Sequence, residues 1–153
     1  MANELDAKLK AWAKGSSSLA SAVGVTEKDM KGLAAVAAKH HEAENDGAAI
    51  KIYEGLAALG FDLGEHQARL ASAYQRSNRP EDAIRCYVAA LAKAPNDLYV
   101  LANLAELLMN RGRMQESADL LKKAIELDPK NAHPAGKRAR ALAVKGAKIT
   151  GKK

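Results

Sequence analysis

Histidine and cysteine are the residues whose spacing could do chemistry in this chain, and neither is arranged for it. His40 and His41 are adjacent. On a helix, successive side chains diverge by about 100°, so the pair cannot chelate one ion as an i, i+4 pair would. His66 and His133 are isolated, and Cys86 is the single cysteine. One thiol excludes an intrachain disulfide and fits a reducing compartment. No glycine-rich phosphate loop, nucleophile elbow or cysteine cluster occurs. Carboxylates are scattered along charged stretches rather than converging. The chain therefore reads as a non-enzyme, with no catalytic residue, metal or cofactor expected.

A self-similarity of fixed period organises the chain instead. Ala49, Ala83 and Ser117 lie 34 residues apart, and so do Tyr53, Tyr87 and Leu121. A small residue followed four positions later by a bulky one suits a helix that crosses its neighbour closely and then fills the space between units. Upstream of each pair runs an i, i+3, i+4, i+7 apolar rhythm: Leu33, Val36, Ala37 and His40; Leu70, Ala71 and Tyr74; Leu101, Leu104, Ala105 and Leu108. That is the rhythm of an amphipathic helix, without strand-like alternation. Punctuation agrees, with a capping sequence at Thr26-Glu27-Lys28-Asp29 and Pro80 in a first helical turn. Gly112 sits in a turn, and Pro95-Asn96 and Pro129-Lys130-Asn131 end one unit and offer a cap for the next. The period predicts an all-α fold of stacked helix–turn–helix units, in which no unit buries its apolar face alone. The units span residues 30–63, 64–97 and 98–131, flanked by residues 1–29 and 132–153.

The flanks differ in character from the repeats. Residues 1–63 hold 7 basic and 9 acidic groups, residues 64–131 hold 10 and 9, and residues 132–153 hold 7 and none. The net charge of +6 thus belongs to the C-terminal segment. Two readings are open for it. It is a closing helix that packs Ala135, Ala139, Leu142 and Ile149 on the last unit and turns Lys137, Arg138, Lys145 and Lys148 to water, or it is an electrostatic contact for an acidic surface or nucleic acid. No aromatic residue interleaves with these cations, which argues against stacking on bases, so nucleic acid is not the expected partner. At the other end, residues 3–14 form a short amphipathic helix with Leu5, Leu9 and Trp12 on one side, followed by the flexible Gly15-Ser16-Ser17-Ser18 joint. Its apolar side either folds back on the first unit, mediates self-association or partner docking, or stays disordered. No apolar run approaches the ~18 residues of a membrane span. Met1 to Lys14 carries Glu4 and Asp6 and has no secretory h-region. A cytoplasmic protein is expected.

The stretches "LASAY…PEDAIRCYVAALAKAPND" and "LAELLMNRGRMQESADLLKKAIELDPKN" resemble the tetratricopeptide repeat family, and "LAAVAAKHHEAENDGAAIKIYEGLAALGFD" matches it loosely, lacking the turn glycine at Glu44 and the closing proline at Phe61. The resemblance implies a superhelix whose first helices line a concave groove that receives an extended peptide. The groove positions it implies are Lys31, Ala34, Ala38 and His41; Glu65, Ala68, Ser72 and Gln75; and Tyr99, Ala102, Glu106 and Met109. Small residues in the middle rows would leave depth for inserted side chains, with Tyr99 and Met109 as apolar contact surfaces. The clamp this family uses for the acidic C-terminus of a heat-shock chaperone is disfavoured, because Ala34, Ala38 and Tyr99 stand at its positions. The layout of a short N-terminal helix, three repeats and one closing helix is similar to the bacterial chaperones of type III secretion translocators. Those are non-catalytic, often dimeric through the N-terminal region, and hold an extended client segment in the groove. Their acidic tendency departs from the basic end of this chain.

Overall fold

The structure, a computed structural model, describes residues 2–61 and 64–151. It is all-α, as the period predicts: no strand occurs among the described residues. Contacts divide it into two compact units, residues 1–79 and 80–153.

The first unit holds α1 (Ala2–Ala13), α2 (Leu19–Ala22), α3 (Glu27–Glu42), α4 (Asp46–Ala58) and α5 (Gly64–Arg76). Thr26 starts α3 through a reciprocal capping box. Its Oγ1 accepts from the Asp29 amide at 3.2 Å, and Asp29 Oδ2 accepts from the Thr26 amide at 2.9 Å. Both bonds satisfy donors that the helix itself cannot. Helix α3 packs on α4, and α4 on α5. Ala37, Ala49 and Ala71 are fully buried, and Tyr53 and Leu56 fill the space around them. Leu33 and Val36, expected in this core, are instead 43% and 44% exposed. Ala34 and Ala37 form the buried side of α3, so its packing face is rotated toward the small residues.

The second unit holds α6 (Pro80–Lys93), α7 (Leu98–Asn110), α8 (Met114–Leu127) and α9 (Pro134–Thr150). Leu101, Ala105, Met109, Leu121, Ala124, Ala139 and Leu142 make one apolar cluster, contributed by α7, α8 and α9. Between α8 and α7, the Ser117 hydroxyl donates to the Ala105 carbonyl at 2.7 Å, which satisfies a buried polar group without adding bulk. The cap of α7 is Asp97, one residue past the expected Asn96: its carboxylate accepts from the Tyr99 and Val100 amides at 2.9 and 3.1 Å. Helix α9 is capped by His133, whose Nδ1 accepts from the Ala135 amide at 3.1 Å. The 34-residue period reaches into this helix. Ala37, Ala71, Ala105 and Ala139 are all 0% exposed, so α9 occupies the place of a first helix. Ile149, offered as a packing residue, is 49% exposed.

The helix-ending turns obey the same period. Glu44, Asn78 and Gly112 have φ of 57°, 56° and 76°. After each, an amide bonds back across the turn: Asn45 to the His40 carbonyl at 2.8 Å, Arg79 to Tyr74 at 2.8 Å, and Arg113 to Leu108 at 2.9 Å. This is the Schellman arrangement, which needs a left-handed residue and favours glycine there. Glu44 is the member with neither glycine's freedom nor asparagine's tolerance. Glu44→Gly is expected to stabilise the protein by roughly 0.5–1 kcal/mol in urea unfolding; a loss of stability would contradict the strain assigned to this turn. At Phe61, where the closing proline is missing, Gly60 (φ 82°) ends α4 instead, and the Phe61 amide bonds to the Leu56 carbonyl at 2.9 Å.

Candidate functional site

A groove lies in the first unit between α3 and α5. Lys31, Ala34, Ala35 and Ala38 form one wall, Glu65, His66 and Arg69 the other, and Tyr53 and Phe61 the base of a cavity of about 210 Å³. The alanines recur every three or four residues because only that spacing keeps one helix face small. The cations on the rim are already balanced: Lys31 pairs with Glu27 at 2.6 Å and Arg69 with Glu65 at 2.8 Å. The His66 ring lies 5.8 Å from Tyr53 and 5.2 Å from Phe61, tilted against both. Tyr53 is 2% exposed, and its hydroxyl has no hydrogen-bond partner among the described residues. Burial pushes its phenol above the usual tyrosine range, so the group stays a neutral O–H that can donate or accept. A buried hydroxyl without a partner is costly, and such a group in a groove wall is available to an inserted peptide backbone.

The predicted groove residues divide accordingly. Lys31, Ala34, Ala38 and Glu65 meet in this cavity. Ala68, Ser72 and Gln75 are half-buried on α5 and do not line it. His41 belongs elsewhere. Its Nδ1 lies 2.6 Å from Nη2 of Arg76, which also donates to the His41 carbonyl at 2.8 Å. Arg76 Nε donates in turn to Asp46 at 2.8 Å. Burial, then the Arg76 charge, pushes the His41 imidazole below its usual range, while the hydrogen bond from Arg76 holds the Asp46 carboxyl low. A neutral His41 accepting from Arg76 ties the end of α3 to the start of α4 and the end of α5. Its role is structural, contrary to the groove contact expected of it.

In the second unit the expected surface is largely built over. Ala102 is 0% exposed and Met109 6%, so neither serves as an open contact surface. Met109 is drawn into the core because Gly146 of α9 approaches it so closely that a Cβ there would lie 3.2 Å from its Cε. Arg138 reaches across from α9 to pair with Glu106 and donates to Asn103 Oδ1 at 2.6 Å. It stays exposed, as sequence reasoning placed it, with its guanidinium engaged. Tyr99 alone stays open, 54% exposed, with its ring edge-on to His133 at 5.0 Å. Sequence reasoning missed Tyr53, Phe61, His66 and Arg69 as groove residues. They come from a second helix, a loop and further positions of α5, which a rule written for four positions of each first helix does not reach.

The N-terminal residues behave differently again. Helix α1 packs on α2, leaving Leu5 47% and Trp12 44% exposed, with Leu9 half-buried. Among the described residues α2 is the main neighbour of α1. Among those residues no group of three His, Cys, Asp or Glu could hold a metal ion, and no helix is long and apolar enough to cross a membrane.

Comparison with known proteins agrees with the helical-repeat fold. The tetratricopeptide repeat family profile matches residues 68–132. Over that stretch the chain is similar to tetratricopeptide repeats. No curated protein matches it in sequence. Among solved structures, a type III secretion complex from Aeromonas hydrophila is similar with a TM-score of 0.80 at 17% identity, over 95% of this chain and 98% of that one. The type III secretion translocator chaperone SycD of Yersinia enterocolitica gives 0.73 at 17% identity, over 84% and 90%. PcrH, solved in complex with the chaperone binding region of PopD, gives 0.73 at 20% identity, over 83% and 97%. At such identities the likeness is one of fold.

Proposed function

We propose that this protein is a non-catalytic chaperone or adaptor of the cytoplasm, which shields an extended apolar segment of a client protein in the groove of its first unit. Residues 30–131 serve as three repeats, and the flanks close the scaffold. The observation that carries the reading is the α3–α5 groove: small walls, an aromatic base, paired charges and a buried hydroxyl of Tyr53 without a partner. Small walls admit side chains, the aromatic base excludes water, and the hydroxyl can bond a peptide carbonyl. The translocator chaperones of the same fold include one solved with the chaperone binding region of PopD, which supports a client of the translocator kind.

Ala38→Arg tests the groove, because Ala38 lines it from a half-buried position and adds no cavity when enlarged. Client pulled down with the native protein should be lost with this variant while the far-UV spectrum and urea midpoint hold. Unchanged client capture would remove the groove from the proposal.

The exposed Leu5, Trp12 and Val23 of the same unit favour self-association as an accompanying property, since apolar groups of this size gain by burial. Deleting residues 1–14 should lower the sedimenting mass to that of one chain. A mass per particle unaffected by the deletion would retire this part.

A further inference from the structure

Helix α9 has a side that no part of the described chain covers. Ala141, Val144, Lys145, Lys148 and Ile149 line one shallow depression of about 340 Å³ along it. Val144 is 57% and Ile149 49% exposed. The opposite side of α9 is the one turned to α8, where Ala143 and Ala147 line a separate cavity of about 510 Å³ with Met114, Leu121 and Ile125.

Charge identifies what would lie there. Helix α9 contains no acidic residue. Its arginines are engaged: Arg138 with Glu106, and Arg140 with Asp128 at 3.6 Å, Asn131 at 3.0 Å and the Asp128 carbonyl at 2.5 Å. Lys137, Lys145 and Lys148 are exposed and enter no ion pair among the described residues. They extend over eleven residues of helix, about 16 Å. Lys152 and Lys153 lie outside the described residues. Repeat register adds a second argument. Helix α9 stands where a first helix stands, and the earlier first helices α3 and α7 each pack against the helix that follows them.

We infer that this exposed side of α9 docks an acidic amphipathic helix of a partner protein, its apolar stripe on Ala141, Val144 and Ile149 and its carboxylates on Lys137, Lys145 and Lys148. A folded helix satisfies its own backbone and so matches a surface that offers apolar contact and point charges but few hydrogen-bonding groups. An anionic membrane is the weaker fit, because an interfacial helix needs a broad apolar face with bulky anchors, and α9 offers Ala141, Val144 and Ile149. Nucleic acid is weaker still. The guanidinium forks suited to phosphate are bound to internal carboxylates and carbonyls.

The inference stands apart from the α3–α5 groove and is tested apart from it. The probe is a fluorescein-labelled synthetic helix with leucines along one face and glutamates on both flanks, titrated against the full chain and followed by anisotropy. Saturable binding is expected, weakened at least about tenfold in K137E/K145E/K148E and on raising salt from about 50 to 300 mM. Val144→Asp should block it by removing the apolar contact and repelling the glutamates, and Ala38→Arg should leave it unchanged. The triple variant replaces exposed side chains only, so its helical spectrum should match the native one. The inference is overturned if the peptide does not bind, if the triple variant binds it equally, or if a glutamate peptide without leucines binds as well. It is also overturned if phosphatidylserine vesicles or duplex DNA bind these lysines more tightly than the peptide.

Discussion

Tyr87→Ala should destabilise the protein by about 3–5 kcal/mol, the range for truncating a large buried side chain. Tyr87 is 1% exposed and lies in the middle of α6, four residues after the fully buried Ala83. Truncation there removes the apolar area of a ring and leaves a void that close-packed helices cannot collapse into, because their approach is already set by alanine. The same change one repeat on, Leu121→Ala, removes less volume and should cost less. Urea unfolding followed by circular dichroism measures both. A loss below about 1 kcal/mol at Tyr87 would mean that the small-then-bulky register, and with it the assignment of repeat boundaries, is wrong.

That register was the most legible part of the chain. Ala49, Ala83 and Ser117 are buried, as are Tyr53, Tyr87 and Leu121, because helix crossings leave no alternative to a small residue and period 34 repeats the demand. Turn geometry was legible for a similar reason. Gly112 announced a left-handed residue, and position 44 had to adopt the same conformation despite carrying Glu. The surface was read less well. Leu33 and Val36 follow the apolar rhythm yet are exposed, since periodicity locates a face but not whether a neighbour covers it. Of the twelve groove positions, those on α3 depend on small residues visible in sequence. On α7, Glu106 and Met109 are taken up because α9 delivers Gly146 toward Met109 and Arg138 onto Glu106 and Asn103, contacts between residues 32 to 37 apart that no local pattern records. Tyr53 was legible as core, and its hydroxyl as part of a groove was not: one side chain serves both packing and site.

Gly136→Ala is the second large effect, and it comes from a contact rather than from helix propensity. Alanine is the better helix former by about 1 kcal/mol, so an exposed site would gain from this change. At Gly136 an added Cβ would lie 2.0 Å from Asp128 Oδ2 and 2.8 Å from Asp128 Cβ. Asp128 cannot simply swing away. It is 7% exposed, its carboxylate accepts from the Ala132 and His133 amides at 3.0 and 3.2 Å, and Arg140 pairs with it. The methyl must therefore displace a buried carboxylate from its donors or push α9 away from the end of α8. Either route costs more than the propensity gained, and a net destabilisation of about 2–4 kcal/mol is expected. A double-mutant cycle isolates the cause. In an Asp128→Ala background, already weakened by the loss of the bonds from the Ala132 and His133 amides, adding Gly136→Ala should be neutral or stabilising, giving a coupling larger than about 1 kcal/mol. If the two losses simply add, the clash is relieved by local movement, and Gly136 is no more than a poor helix residue.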